Sequence, residues 1–176
     1  RLMISEDFYG AASTLAATTV PPIALGALNI VGQGIAETDS GAPRLDSDGL
    51  NGVIQLTTTN EDVHAAGLQS ATMFDVALMG SIVMEARVRQ AALNTGEVFI
   101  GFSDVNTDLA IVEGAICHGD TITVTLTASD LIGFLMASDL TDNSDWHGVY
   151  NGGTTTGETT STSVDFDAGA TAGEYQ

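Results

Sequence analysis

Residues 81–104 read SIVMEARVRQAALNTGEVFIGFSD. Ile82, Met84, Ala86 and Val88 alternate with Val83, Glu85, Arg87 and Arg89. A period of two is the mark of a strand with one buried and one wet face. Asn94-Thr95-Gly96 carries turn chemistry, because Asn and Gly tolerate positive φ. Val98, Phe99, Ile100 and Phe102 are apolar on both faces of a second strand, which the pattern therefore places centrally in its sheet. The stretch predicts an antiparallel hairpin around which the chain is built.

Outward from it, other segments repeat the signal. Residues 121–128, TITVTLTA, are the cleanest alternation in the chain. Ile122, Val124 and Leu126 are expected inward, with Thr121, Thr123, Thr125 and Thr127 outward, where Thr pairs well across strands. Residues 131–137, LIGFLMA, give a further strand, with Gly133 marking a bulge or a close backbone approach. Shorter strands are expected at 25–31, 53–59, 145–150 and 163–167, and His64–Gln69 reads as a loop or another strand. One or two helical turns are expected at 13–19 and one between 104 and 119. The acidic turn 138–144 and the low-complexity loop 151–162, NGGTTTGETTST, separate the later strands. Strands at this spacing with little helical periodicity predict an all-β antiparallel sandwich of jelly-roll type. Residues 1–48, with Pro21-Pro22 and scattered glycines, read as an irregular N-terminal arm packed on its own domain or on a neighbouring subunit. Residues 49–176 read as the β-sandwich domain.

Composition bounds the function. The 176 residues contain 23 Asp and Glu against 4 Arg and no Lys, a formal net charge of −19. Phosphate backbones and anionic membrane surfaces would repel such a chain, which argues against nucleic-acid and membrane partners. The plainer meaning of the charge is solubility. The sharper one is a salty medium in which counter-ions screen self-repulsion, with weaker assembly and lower thermal stability expected in low salt. No run approaches the ~20 apolar residues of a membrane span. The single cysteine, Cys117, cannot form an internal disulfide and reads as a small buried residue.

Candidate sites are few. Asp46-Ser47-Asp48-Gly49 begins like a calcium loop, but Leu50 stands at the next ligand position and no bidentate Glu follows, so it reads as a polar turn. Glu85 beside Arg87 looks like an ion pair and not half of a glycosidase carboxylate pair. There is no GxSxG elbow, and GxxxxGK[ST] needs a Lys that the chain lacks. No catalytic residue, metal or cofactor is therefore expected. A lone His64 reads as a surface or hydrogen-bonded residue. Trp146, His147 and Tyr150 cluster with Asp145, an aromatic-plus-carboxylate set of the kind that holds sugars by stacking and directed hydrogen bonds. The alternative is a core Trp146 with His147 as its hydrogen-bonding neighbour.

The pattern EARV (Glu85, Ala86, Arg87, Val88), a polar turn, then GFSD (Gly101, Phe102, Ser103, Asp104) resembles virion proteins of tailed bacteriophages. The opening SEDFYGAAS, residues 5–13, is similar to the start of such proteins. The resemblance implies a concanavalin-A-like, laminin-G-like sandwich and a non-enzymatic head decoration or cement role on the capsid exterior. It implies the major capsid protein and other copies of the chain as partners. Capsid lattices offer three-fold and six-fold sites, so a trimer is the expected homo-oligomer. The alternative is a carbohydrate-binding, lectin-like module of a phage fibre or secreted protein, with a surface glycan as partner. In the family the sandwich runs on past the equivalent of Tyr175. The sandwich is therefore expected to be incomplete at Gln176, finished by further chain or by a strand from a neighbour.

Overall fold

A computed structural model describes residues 4–5, 23–25, 27–32, 44–46, 52–58, 64–70, 72–75, 78–105, 112–152 and 169–175. The helical turn expected at 13–19, the strand at 163–167 and most of the loop 151–162 lie outside the described residues. So do residues 106–111 of the stretch given a helical turn between 104 and 119, whose described residues, 104–105 and 112–119, contain no helix. Among the described residues the chain is all-β, without a helix, and every ladder is antiparallel. Two compact units divide it, one drawn from 1–72 and 106–113, the other from 73–105 and 114–176.

In the first unit, β1 (Ile23–Leu25), β2 (Leu28–Val31) and β5 (Gly67–Gln69) form a three-stranded sheet in the order β1-β2-β5. The single strand expected at 25–31 is thus a hairpin, with Leu25 opposite Leu28 across a two-residue turn. Ile30 and Val31 of β2 are buried. β3 (Arg44–Asp46) pairs with β4 (Val53–Gln55), so the acidic stretch after Asp46 joins two strands. Residues 23–24 and 44–46, expected to run irregularly in the N-terminal arm, are therefore strand. β4 stops short of the predicted Thr59. His64 makes an isolated antiparallel bridge to Val112.

The second unit is built on β6 (Glu97–Ser103), β9 (Leu131–Ala137) and β10 (His147–Asn151), in the order β10-β9-β6. The hairpin β7 (Cys117–Asp120) with β8 (Thr123–Leu126) supplies the rest of its core. Glu97, Phe99, Gly101 and Ser103 stand opposite Ala137, Leu135, Gly133 and Leu131. Alternation puts these on one face with His147 and Val149 of β10. Leu131, Leu135, Ala137 and Val149 join Cys117, Val124, Ala128 and Leu140 in one buried cluster, with Phe99, Val105, Ile116 and Leu126 packed against it. Each such Leu or Val contributes about 1.5–3 kcal/mol by leaving water.

Glycine is required where β6 and β9 face each other. Gly101 lies opposite Gly133. A Cβ on Gly133 would sit 2.8 Å from Gly101 Cα and 2.9 Å from the Phe99 ring, and one on Gly101 would sit 2.7 Å from that ring. The close approach expected at Gly133 is thus a glycine pair roofed by Phe99.

Three expectations fail here. First, Ile82–Val88 joins no ladder among the described residues, although its alternation is regular. Second, β6 is not central. Among the described residues it is the edge of its three-stranded sheet, and β9, not the preceding segment, is its partner. The seven-residue match between β6 and β9 brings Phe99, Leu131, Leu135 and Ala137 into the cluster above, and burial favours that pairing. Third, Ile122 is 52% exposed. Asp120 pairs with Thr123, so Thr121 and Ile122 are the two-residue loop of the β7–β8 hairpin and not part of the strand. Thr121 takes φ 56°, unusual for a β-branched residue. Its amide donates to the Asp139 carbonyl at 2.8 Å and its carbonyl accepts from Thr141 N–H at 2.6 Å.

Candidate functional site

The aromatic cluster is the first place to look. The β10 alternation sends His147 and Tyr150 to opposite faces. His147 is 0% exposed, faces Leu135, and bonds through Nε2 to the Asp142 carbonyl at 3.1 Å. That carbonyl only accepts, so Nε2 carries the proton. Tyr150 lies across from Ile132 on the other face, half-buried. Trp146 and Asp145 precede the strand and are half-buried. The four residues are thus divided among the core, the strand entrance and the outer face. They do not converge on one surface.

A second group was not singled out from the sequence. Glu97, first residue of β6, accepts from the Gly119 amide at 2.9 Å and meets His118 Nδ1 at 3.1 Å, both through Oε2. The pairing of β6 with β9, and of β7 with β8, brings these side chains together from residues 21 and 22 positions apart. A carboxylate that holds one ring nitrogen is how an imidazole base is oriented. The neighbouring Cys117 is no nucleophile. Burial, with the Glu97 charge adding to it, pushes its thiol up to about 12, so the reactive thiolate is scarce at neutral pH. Alternation along β7 also turns Cys117 away from His118 and into the core. The Glu97–His118 contact reads as a bond that fixes the start of β6 to β7. Its sequence signal, a Glu opening one strand and a His in another, is too common to find in advance.

Two surfaces remain. On the outer face of β10-β9-β6, Ile132 and Phe134 are exposed beside the half-buried Val98, Ile100, Phe102 and Tyr150. Phe74 packs edge-on against Phe102, with ring centroids 4.7 Å apart. The other surface is the stretch from Leu78 to Arg89. Val83 is 89% exposed, and Leu78, Met79 and Met84 are exposed as well. At its end Arg89 bridges to Tyr175, whose ring lies 4.6 Å from Arg87 Cζ and 5.9 Å from Arg89 Cζ. Contiguous exposed apolar area of this kind marks a contact surface for another macromolecule more often than a small-molecule pocket.

Among the described residues no group of three or more His, Cys, Asp or Glu is placed to hold a metal ion. No helix there is long and apolar enough to cross a membrane. No family model, curated protein or solved structure matches this chain.

Proposed function

We propose that the chain is a structural, non-enzymatic β-sandwich protein of a tailed-phage virion that decorates or cements the outer surface of the capsid. The outer face of β10-β9-β6 carries the reading. The strand that bears GFSD, β6, contributes Val98, Ile100 and Phe102 to that face, and Ile132 and Phe134 of β9 stand exposed beside them. An apolar sheet face with few charges suits a standing protein–protein contact, where burial drives association. The chain's formal net charge of −19 favours solubility while such a face is exposed.

The test is co-sedimentation of the chain with expanded capsid shells of a tailed phage. Ile132→Ser with Phe134→Ser abolishes capture while the thermal midpoint stays within a few degrees of wild type. No capture of the wild-type chain by any expanded shell rejects the capsid role. Glycan-array binding lost on Trp146→Ala would place the protein in the lectin-like class instead.

A further inference from the structure

Ser81–Gln90 has the sequence of a strand and, among the described residues, no strand beside it. None of the hydrogen bonds of the described residues reaches the main chain of Ser81–Arg87. Most of its side chains are exposed, including Val83, Met84, Glu85, Ala86 and Arg87. An exposed, alternating segment with open main-chain donors and acceptors is a template for another strand. One edge is taken at its end, where the Gln90 carbonyl accepts from Gly173 N–H at 2.6 Å and Arg89 bridges to Tyr175. Continued in extended form from there, the chain turns the main-chain groups of Val83, Glu85 and Arg87 to the opposite edge.

The charges say what lies there. The chain has four arginines against 23 acidic residues, and two of the four, Arg87 and Arg89, stand in this segment with Glu85 on the same face. We infer that a second copy of this chain pairs with residues 82–90 as an antiparallel strand across a two-fold axis centred on Ala86. Symmetry limits the choices. In such a pair a residue faces either itself or one an even number of positions away, because opposed residues share a face. Centring on Glu85 or Arg87 sets like charges face to face. Centring on Val88 opposes Arg87 to Arg89. Centring on Met84 leaves both Glu85 and Arg87 opposite neutral residues. Centring on Ala86 sets Glu85 opposite the other copy's Arg87 twice over, Met84 opposite Val88, and the small Ala86 against itself. The Tyr175 ring lies 4.6 Å from Arg87 Cζ, a cation–π contact that steadies the guanidinium beside that pairing edge.

The contact is isologous, so it closes as a dimer and not as the trimer that a capsid lattice suggests. It stands apart from the capsid role and does not depend on it. The experiment is analytical ultracentrifugation of the full chain at about 0.15 M salt, where a Debye length of about 8 Å screens the long-range repulsion between two acidic copies but not charge pairs in contact. Wild type is expected to be a dimer. Glu85→Arg alone and Arg87→Glu alone each weaken it about tenfold or more, since each replaces both cross-strand pairs with like charges. The double swap restores it, a result that a general loss of surface charge would not produce. Ala86→Cys gives a covalent dimer on mild oxidation, because Ala86 faces its own copy, whereas Val83→Cys does not. The buried Cys117 stays out of both reactions. Monomeric wild type at all concentrations overturns the inference. So do a trimer, a double swap as weak as the singles, and equal cross-linking at positions 83 and 86.

Discussion

The β7–β8 hairpin and the segment 81–103 each contain a turn between two stretches of strand-forming residues, and the turns differ in quality. The β7–β8 turn is poor. Thr121 holds φ 56° in a two-residue loop where glycine is the ordinary occupant. The Asn94-Thr95-Gly96 turn has good chemistry. Yet the strained turn closes a ladder, and the favourable one leads to a strand that pairs elsewhere. Burial explains the reversal. Val124 and Cys117 of the strained hairpin enter the cluster with Leu131, Leu135 and Leu140. Ile82–Val88 has no such cluster to enter and leaves Val83 in water. Local turn preference is worth about 1 kcal/mol, and a handful of buried aliphatic side chains several times that.

The largest expected effect tests that explanation on two leucines. Leu135 is 0% exposed and Leu78 is 84% exposed. Leu135→Ala should cost about 3–4 kcal/mol in urea unfolding, from lost transfer energy plus the cavity left behind. Leu78→Ala should stay within about 0.5 kcal/mol. Comparable losses at both sites would mean that the 78–89 segment is covered as fully as the sheet, and the contrast would collapse.

Next comes the thiol under that sheet. Burial of Cys117 raises its pKa from 9.0 to about 12. The folded state keeps its proton where the unfolded chain has lost it, so the stabilising contribution is full below pH 9 and declines as pH rises towards 12. Stability should therefore fall by about 1.4 kcal/mol per pH unit through that window on account of this group. In Cys117→Ala the same stretch of the profile should be flatter by that slope. Identical slopes in the two proteins would show that the thiol reaches water in the folded state.

Which parts of this were legible in the sequence follows the same physics. β9 was found because LIGFLMA carries its burial within seven consecutive residues, and Gly133 announced a close approach. β8 was found apart from Ile122, since alternation alone does not show where a two-residue loop begins. Residues 81–90 have a strand's alternation and join no ladder among the described residues, because period two reports a capacity to pair and not the presence of a partner. Of the candidate site, Trp146, His147, Tyr150 and Asp145 were grouped by nearness in sequence. A strand separates near neighbours onto opposite faces, and it took β10 to its core side at His147. The Glu97–His118 contact was hidden for the opposite reason, because strand pairing made neighbours of distant residues.

The smallest expected effect concerns the strained turn itself. Thr121 is held at positive φ by two main-chain hydrogen bonds, to the Asp139 carbonyl and from Thr141 N–H, and neither involves its side chain. Its hydroxyl donates to Asp120 Oδ1 at 2.9 Å in an exposed position, a bond worth little in water. Relief of the β-branched strain should contribute about 1–2 kcal/mol. The added freedom of glycine in the unfolded chain offsets roughly half of that. Thr121→Gly is therefore expected to raise stability by about 0.5–1 kcal/mol, with the β7–β8 register unchanged. Thr121→Val keeps the strain and loses the hydroxyl, so it should lower stability by about 0.5 kcal/mol. The sign of the first change decides the matter. If Thr121→Gly destabilises, the turn is not under strain, and the β7–β8 ladder forms with help from its turn. Burial would then no longer be what separates this hairpin from residues 81–103.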